Sequence, residues 1–303
     1  MNAEDVKRCA REHGADLVGI ASPDRFHGEP PERHPTAIFP ECRSVIVLGR
    51  RILRGSLRGV EEGTNFGSTY GTFGFRYLED NFLARTTYDV TCWIEARSFE
   101  AVPLFGYAED GMPQGMPVAE GKPAPNVIVD VDRAAAAAGL GEMGLGGFFL
   151  TPEFGPRQRF ALILTDAALA PDPVREPGLC GVCGACAAAC PLGAIRPRQP
   201  KASGTPASEA VVDYRLCRTC RNGAMSAPGR GDRPDRLAAA CVRACVVKLE
   251  QAGKCANAFE QPFRKRTPWA LDALVRPAPA ASVSGQPSDL GCRQNLGAAG
   301  RPA

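Results

Sequence analysis

Four cysteines, Cys180, Cys183, Cys186 and Cys190, stand in a C-x-x-C-x-x-C-x-x-x-C run that Pro191 follows at once. No other feature of the sequence limits the fold as tightly. Two-residue gaps let three thiolates converge from one short loop. The fourth opens a helix pointing away and so serves a different centre from the first three. Gly181 and Gly184 suit the tight turns this requires, and Pro191 fits the first turn of a helix, where no amide hydrogen bond is lost.

Such a run needs a partner, and Cys217, Cys220, Cys241 and Cys245 supply four more thiolates. The spacing ending in Cys-Pro is that of bacterial ferredoxins, so the eight read as ligands of two 4Fe-4S clusters. The crossed logic of that arrangement assigns Cys180, Cys183, Cys186 and Cys245 to one cluster, and Cys190, Cys217, Cys220 and Cys241 to the other. The long gap between Cys220 and Cys241 reads as an insertion. Paired C-x-x-C units also build tetrahedral zinc sites, but the longer run is a ferredoxin signature and not a zinc-ribbon one. Cys9, Cys42, Cys92, Cys255 and Cys292 have no ligand spacing, and Cys9 and Cys92 fall on apolar helix faces as small core residues.

Composition sets limits around this. Thirteen cysteines in 303 residues would be dense for idle core residues, and eight of them lie between 180 and 245. A net charge of +3 gives no strong pull toward nucleic acid or acidic membranes. The N-terminal MNAEDVKRCAREHG fits neither a secretory signal nor a twin-arginine leader. No apolar run approaches the ~18 residues of a membrane span. The expectation is a reducing, cytoplasmic location without a membrane and without disulfides.

Along the chain, helix is expected at 3 to 13, strand at 17 to 20, and a buried strand of a mixed or parallel sheet at 45 to 48. Residues 63 to 75 read as a loop able to wrap a ligand. A long amphipathic helix follows from 77 to 98, then a strand at 101 to 105 and a lid-like loop at 106 to 125. Asp130 or Asp132 caps a helix through the alanine run 134 to 138, and 160 to 164 is another strand. Strands interspersed with helices argue an α/β first domain. Pro171, Pro173 and Pro177 mark a linker, and past Trp269 the Ala, Pro, Ser and Gly composition predicts a disordered tail over 269–303.

Gly139 to Gly144 matches G-x-G-x-x-G. A dinucleotide site needs a strand directly before the glycines and a helix directly after. Here an alanine run precedes, and Gly146, Gly147 and Pro152 follow. Glycines that merely end a helix and turn are the plain alternative.

The longer stretch from Ala138 to Asp166, AGLGEMGLGGFFLTPEFGPRQRFALILTD, resembles the cobalamin-binding segment of epoxyqueuosine reductases and reductive dehalogenases, and leads by a short linker into the cysteine run as it does there. The likeness covers residues 127 to 245. It is looser in the first half, through AREHGADLVGIA and CRSVIVLG.

The resemblance implies an α/β (α+β) nitroreductase-like domain over 1–172 that holds a corrinoid, followed by a small ferredoxin-like dicluster domain over 173–268. It implies clusters that feed electrons singly to cobalt, which reduces a small organic substrate, with a ferredoxin or flavodoxin as donor. Gly139, Gly141, Gly144, Leu145, Thr151 and Gly155 would line the cobalamin, glycines being needed where backbone lies against the macrocycle. Tyr107 and Glu142 are the candidate catalytic proton donors, with Tyr70, Tyr77 and Tyr88 competing. Where tRNA-modifying members carry an acid upstream of the Gly-Leu-Gly, this chain has Pro125 or Asn126, with Asp130 and Asp132 nearby, which makes epoxyqueuosine a less expected substrate. A flavin (FMN) reductase and a dicluster electron carrier without corrinoid are the alternatives.

Overall fold

The structure, a computed structural model, describes residues 1–105, 120, 127–197, 210–227 and 233–278. Its strands are β1 (Leu17–Ala21), β2 (Ser44–Arg51), β3 (Ala101–Leu104), β4 (Glu142–Met143), β5 (Phe149–Leu150), β6 (Gln158–Thr165), β7 (Ile195–Pro197) and β8 (Ala210–Val212). The α-helices are α1 (Ala3–Glu12), α2 (Pro35–Ile38), α3 (Arg58–Glu62), α4 (Ala84–Glu95), α5 (Val131–Ala137), α6 (Ala185–Ala188), α7 (Tyr214–Arg218) and α8 (Ala240–Gln251).

The fold is mixed α/β around one four-stranded sheet in the order β1-β2-β6-β3, every pairing antiparallel. This corrects the expectation of a mixed or parallel sheet. The unbroken apolar run of β2 signals burial of both faces, which is usual in parallel sheets, but helices on both sides of an antiparallel sheet produce it equally well. Val45, Val47, Leu162 and Leu164 face α5, whereas Ile46, Leu48, Ala161 and Ile163 face α1 and α4. Each such side chain contributes about 1.5–3 kcal/mol on full burial.

Local chemistry sets the helix ends. Asn2 and Asp5 form a reciprocal capping box at α1, and Asp130 caps α5 by accepting from the amides of Asp132 and Arg133. The helix expected from residue 77 differs from prediction, as does the loop expected at 63 to 75. Residues 67–76 and 78–83 wind as π-helix, and α-helical geometry begins only at Ala84. Three glycines, Gly67, Gly71 and Gly74, fall in the first of these windings, and their low helix propensity explains why no helix was expected there.

The cysteine-bearing half packs α6 on α8, beside the β7-β8 ribbon. A further core joins Ile52, Leu57, Tyr70 and Leu78 to Ala238, Val246 and Phe263, residues from both sides of the expected boundary at 172. Residues 269 to 278, the start of the expected disordered tail, are instead packed. Trp269 donates its indole N–H to the Val60 carbonyl at 2.8 Å, and Asn222 binds both the N–H and the carbonyl of Leu271. The remaining tail residues and Tyr107 lie outside the described residues. Among the described residues no helix is long and apolar enough to cross a membrane.

Candidate metal centres

The eight cysteines carry free thiols. Cys186 lies on α6, Cys217 on α7, and Cys241 and Cys245 one turn apart on α8. Burial pushes Cys186 up to about 11, with the negative charge of Cys183 and Cys180 adding to it. Cys245 is raised further by burial, and then by Cys186, Cys180 and Cys183. In the other set, burial pushes Cys241 up to about 12, with Cys190, Cys220 and Cys217 adding to it, and Cys217 is raised by burial and by Cys190 and Cys220. The sets brought together are thus Cys180, Cys183, Cys186 and Cys245, and Cys190, Cys217, Cys220 and Cys241. Buried thiols such as Cys186, Cys217, Cys241 and Cys245, held neutral by their surroundings, ionise more readily when a bound cation is present. Among the described residues no three His, Cys, Asp or Glu gather as tightly as a single ion requires.

Backbone amides already point at the sulfurs. The N–H groups of Leu145, Ala194 and Asn222 each donate to a thiol, of Cys180, Cys190 and Cys220 respectively, at 3.4 Å. The first loop is bent hard: Val182 sits at φ 50°, a left-handed conformation that a β-branched residue adopts at a cost of about 1–3 kcal/mol.

Glu142 holds this loop. Its two carboxylate oxygens accept from the N–H groups of Gly178 and Cys180, both at 2.6 Å, while Lys254 donates to the carbonyls of Gly178 and Leu179 at 2.7 and 3.1 Å. A carboxylate engaged on two backbone amides is a positioning group, which differs from the proton-donor role expected of Glu142.

The glycine segment forms the β4-β5 hairpin, which wedges against both thiol sets. Leu145, Phe148 and Leu150 share a core with Cys186 and Cys241. Its glycines are packed by protein. A side chain on Gly141 would meet the Leu150 carbonyl oxygen at 1.9 Å, one on Gly139 the Pro173 carbonyl oxygen at 2.1 Å, and one on Gly144 the Leu150 side chain at 3.0 Å. Gly155 has φ 59° and lies against Leu249, and Thr151 is buried, bonded to Gln158 and to the Phe154 N–H.

Sequence reasoning missed Arg236. It is 6% exposed and donates to the carbonyls of Gly146 and Gly147 at 3.0 and 2.7 Å, and its positive charge favours the thiolates of Cys217 and Cys241. No spacing rule marks it, because it reaches the second set through the fold and not through the motif. Lys254 was missed for the same reason.

Tyr70 is no accessible proton donor. It is fully buried and donates to Asp235 at 2.6 Å while accepting from Arg159 at 2.7 Å; burial raises its pKa well above the usual phenol range. Arg54 grips both oxygens of Glu250 on α8 at 2.8 Å, Arg50 donates to Thr86 and Arg58 to the Phe263 carbonyl, while the exposed Arg51 pairs with Asp16.

Two open clefts lie among the described residues. One of about 330 Å3 is lined by Gly71, Arg76, Tyr77, Asp80 and Met225, and one of about 520 Å3 by Lys7, Ala138, Gly139, Leu140, Asp172 and Arg175. Both match small-molecule sites of roughly 300–1,000 Å3.

A tetrachloroethene reductive dehalogenase of Desulfitobacterium hafniense is 42% identical over 96 residues, which are 27% of this chain and 17% of that protein. The chain resembles the reductive dehalogenases. A solved reductive dehalogenase, described with a mechanism for B12-dependent dehalogenation, is 18% identical and covers 85% of this chain and 38% of its own, with a TM-score of 0.50. An epoxyqueuosine reductase solved with an epoxyqueuosine-modified tRNA stem loop is 16% identical over 91% of this chain and 70% of its own, at a TM-score of 0.48. At these identities the structural likeness is one of fold. The curated relatives are reductases, and this chain matches less than a fifth of their length. No protein-family model matches the chain.

Proposed function

We propose that the protein is an iron-sulfur reductase whose eight cysteines hold two 4Fe-4S clusters and pass electrons to a reaction centre in the first half of the chain. One observation supports it: Cys245 has Cys186, Cys180 and Cys183 as its charged neighbours, and Cys241 has Cys190, Cys220 and Cys217. That crossing is the ligand logic of two-cluster ferredoxin segments.

Bound clusters would supply one-electron transfer. The chain's own residues do the rest. Glu142 and Lys254 fix the loop of Cys180, amides of Leu145, Ala194 and Asn222 steady three sulfurs, and the β4-β5 hairpin shields both sets from water on one side. Hydrogen bonds to sulfur and exclusion of water are the levers by which a protein sets cluster potential.

The likeness to B12-dependent reductive dehalogenases supports a corrinoid as the electron acceptor and a small organic compound as the substrate. Among the described residues the expected glycines are packed against protein, so no step is assigned to a corrinoid. A tRNA substrate has less support, given the small net charge.

The test is anaerobic purification with iron, sulfide and cobalt analysis, and spectra with and without hydroxocobalamin. About eight irons and one retained cobalt would support the corrinoid reductase. About eight irons with no corrinoid uptake would make a flavin reductase or an electron carrier the account, and absorption distinguishes those two. Zinc in place of iron would sink the proposal.

A further inference from the structure

The two cysteine runs differ in the charge around them. From Pro177 to Ala194 the first run carries no charged residue, whereas Asp213 to Arg221, DYRLCRTCR, sets three arginines around Cys217 and Cys220. The single acid of that stretch, Asp213, is engaged in capping α7, where its carboxylate accepts from the amides of Arg215 and Leu216 at 3.0 and 3.2 Å. Arg215, Arg218 and Arg221 are exposed, while Cys217 is buried and Cys220 half-buried. Arg215 and Arg221 form no ion pair among the described residues. Asn222, whose amide donates to the Cys220 sulfur at 3.4 Å, is fully buried. One turn of chain thus has sulfur on its inner side and guanidinium groups on its outer side.

The first run is turned toward the rest of the molecule. Its loop is tied to the glycine hairpin by Glu142, and the Leu145 amide donates to Cys180. Cys183 is exposed there as well, but its neighbours Val182 and Gly184 carry no charge. Of these two places where a ligand turn meets solvent, only that of α7 is charged. A guanidinium keeps its charge at any pH the protein meets. Transient electron-transfer complexes bury little surface, under about 1,200 Å2, and depend on complementary charge for encounter and orientation.

We propose that Arg215, Arg218 and Arg221 form the docking surface for an acidic one-electron carrier protein, which delivers electrons to the second cluster, that of Cys190, Cys217, Cys220 and Cys241. This rests on the two-cluster reading above. In each encounter the reduced carrier loses one electron and the second cluster gains it, and no bond is made or broken. The first cluster, on the loop that Glu142 holds, then passes the electron toward the first half of the chain. Cations on the ligand turn itself place an acidic carrier over the sulfurs, whereas a nucleic acid gains nothing from lying there.

The experiment is anaerobic stopped-flow electron exchange between reconstituted protein and an acidic plant-type 2Fe-2S ferredoxin, mixed in whichever direction runs downhill. The parent is compared with a double variant, Arg215→Glu with Arg221→Glu, and with a control of equal charge change, Arg33→Glu with Arg85→Glu, at exposed positions of the first half. Each protein is first assayed for iron and sulfide. At low ionic strength the docking variant should exchange about tenfold or more slowly, and the control should stay close to the parent. Near 1 M salt, where the Debye length is about 3 Å, the difference should vanish. With methyl viologen, a small cation, the docking variant should not be slowed. A parent rate that does not fall with added salt, a parent-like rate in the docking variant, an equal loss in the control, or equal slowing with methyl viologen would overturn the proposal. So would a docking variant that loses affinity for a tRNA stem loop yet exchanges electrons at the parent rate, since the arginines would then serve a nucleic acid. If the Glu variant fails to hold iron, Arg215→Gln with Arg221→Gln takes its place, with a smaller slowing expected, and an unchanged rate there overturns the proposal equally. Parent protein without about eight irons would instead refute the two-cluster reading itself, a result visible before any mixing.

Discussion

Glu142 and Cys42 illustrate how a side chain's surroundings decide its chemistry. Glu142 was a candidate acid on sequence grounds, yet both its oxygens are taken by the amides of Gly178 and Cys180. Replacing it by Gln presents an NH2 to one of those amides, which costs about 1–3 kcal/mol. The expected outcome for Glu142→Gln is faster iron loss to a chelator from the cluster that includes Cys180, followed by the decay of visible absorption, with unchanged loss from the other. Cys42 is buried, and that burial pushes its thiol up to about 11. At pH 8 the thiolate is about a thousandth of the population, so mass spectrometry after iodoacetamide treatment should find Cys42 unmodified and the exposed Cys92 alkylated. The folded-state value lies above the unfolded one. The stability it contributes is therefore complete below about pH 9 and is lost as pH rises toward 11. Denaturant midpoints of Cys42→Ala, in cluster-free protein, should fall less over that window than those of the parent.

At the scale of elements, periodic segments were readable and segments shaped by contact were not. The apolar spacing of α1, the alternation-free runs of β2 and β6, and the Asp130 cap ahead of α5 all write local preference and tertiary demand in the same residues. The direction of the strands was not readable, because a doubly buried strand has the same apolar run whether its neighbours are parallel or antiparallel. Nor was the π winding over 67–83, where Tyr70 is drawn inward by Arg159 and Asp235 from distant parts of the chain. The glycine segment was correctly singled out as unusual, but its glycines answer to the close approach of β4 and β5. Gly141→Ala, which sets a methyl 1.9 Å from the Leu150 carbonyl, should destabilise by about 1–3 kcal/mol through overpacking. A drop in melting temperature together with weaker iron retention in both clusters would be the expected pair of readings, since the hairpin touches both sets.

Across the whole molecule the cysteine run stood out in sequence as a candidate ligand set, because its spacing alone carries the argument. Arg236, Lys254 and the shared core of Tyr70 with Val246 were not, because they join positions far apart in sequence. The crossing makes a sharp prediction. Cys190→Ser should drop iron from about eight to about four and should remove the same spectroscopic species as Cys217→Ser, while Cys245→Ser should match Cys180→Ser. If Cys190→Ser matched Cys180→Ser, each run would serve its own cluster and the proposed pairing would fail. The Arg54 grip on Glu250 and the Arg159 contact to Asp235 join residues of the first half to residues of the second.

The placement of Cys241 and Cys245 on α8 also governs timing. On the proposed grouping, a ribosome that has made everything up to residue 240 has produced a chain in which each set still lacks one sulfur, although the conspicuous run at 180 to 190 was finished long before. Both sets then close within a single helical turn of synthesis, so the two metal centres mature as one late event and a chain arrested earlier can complete neither.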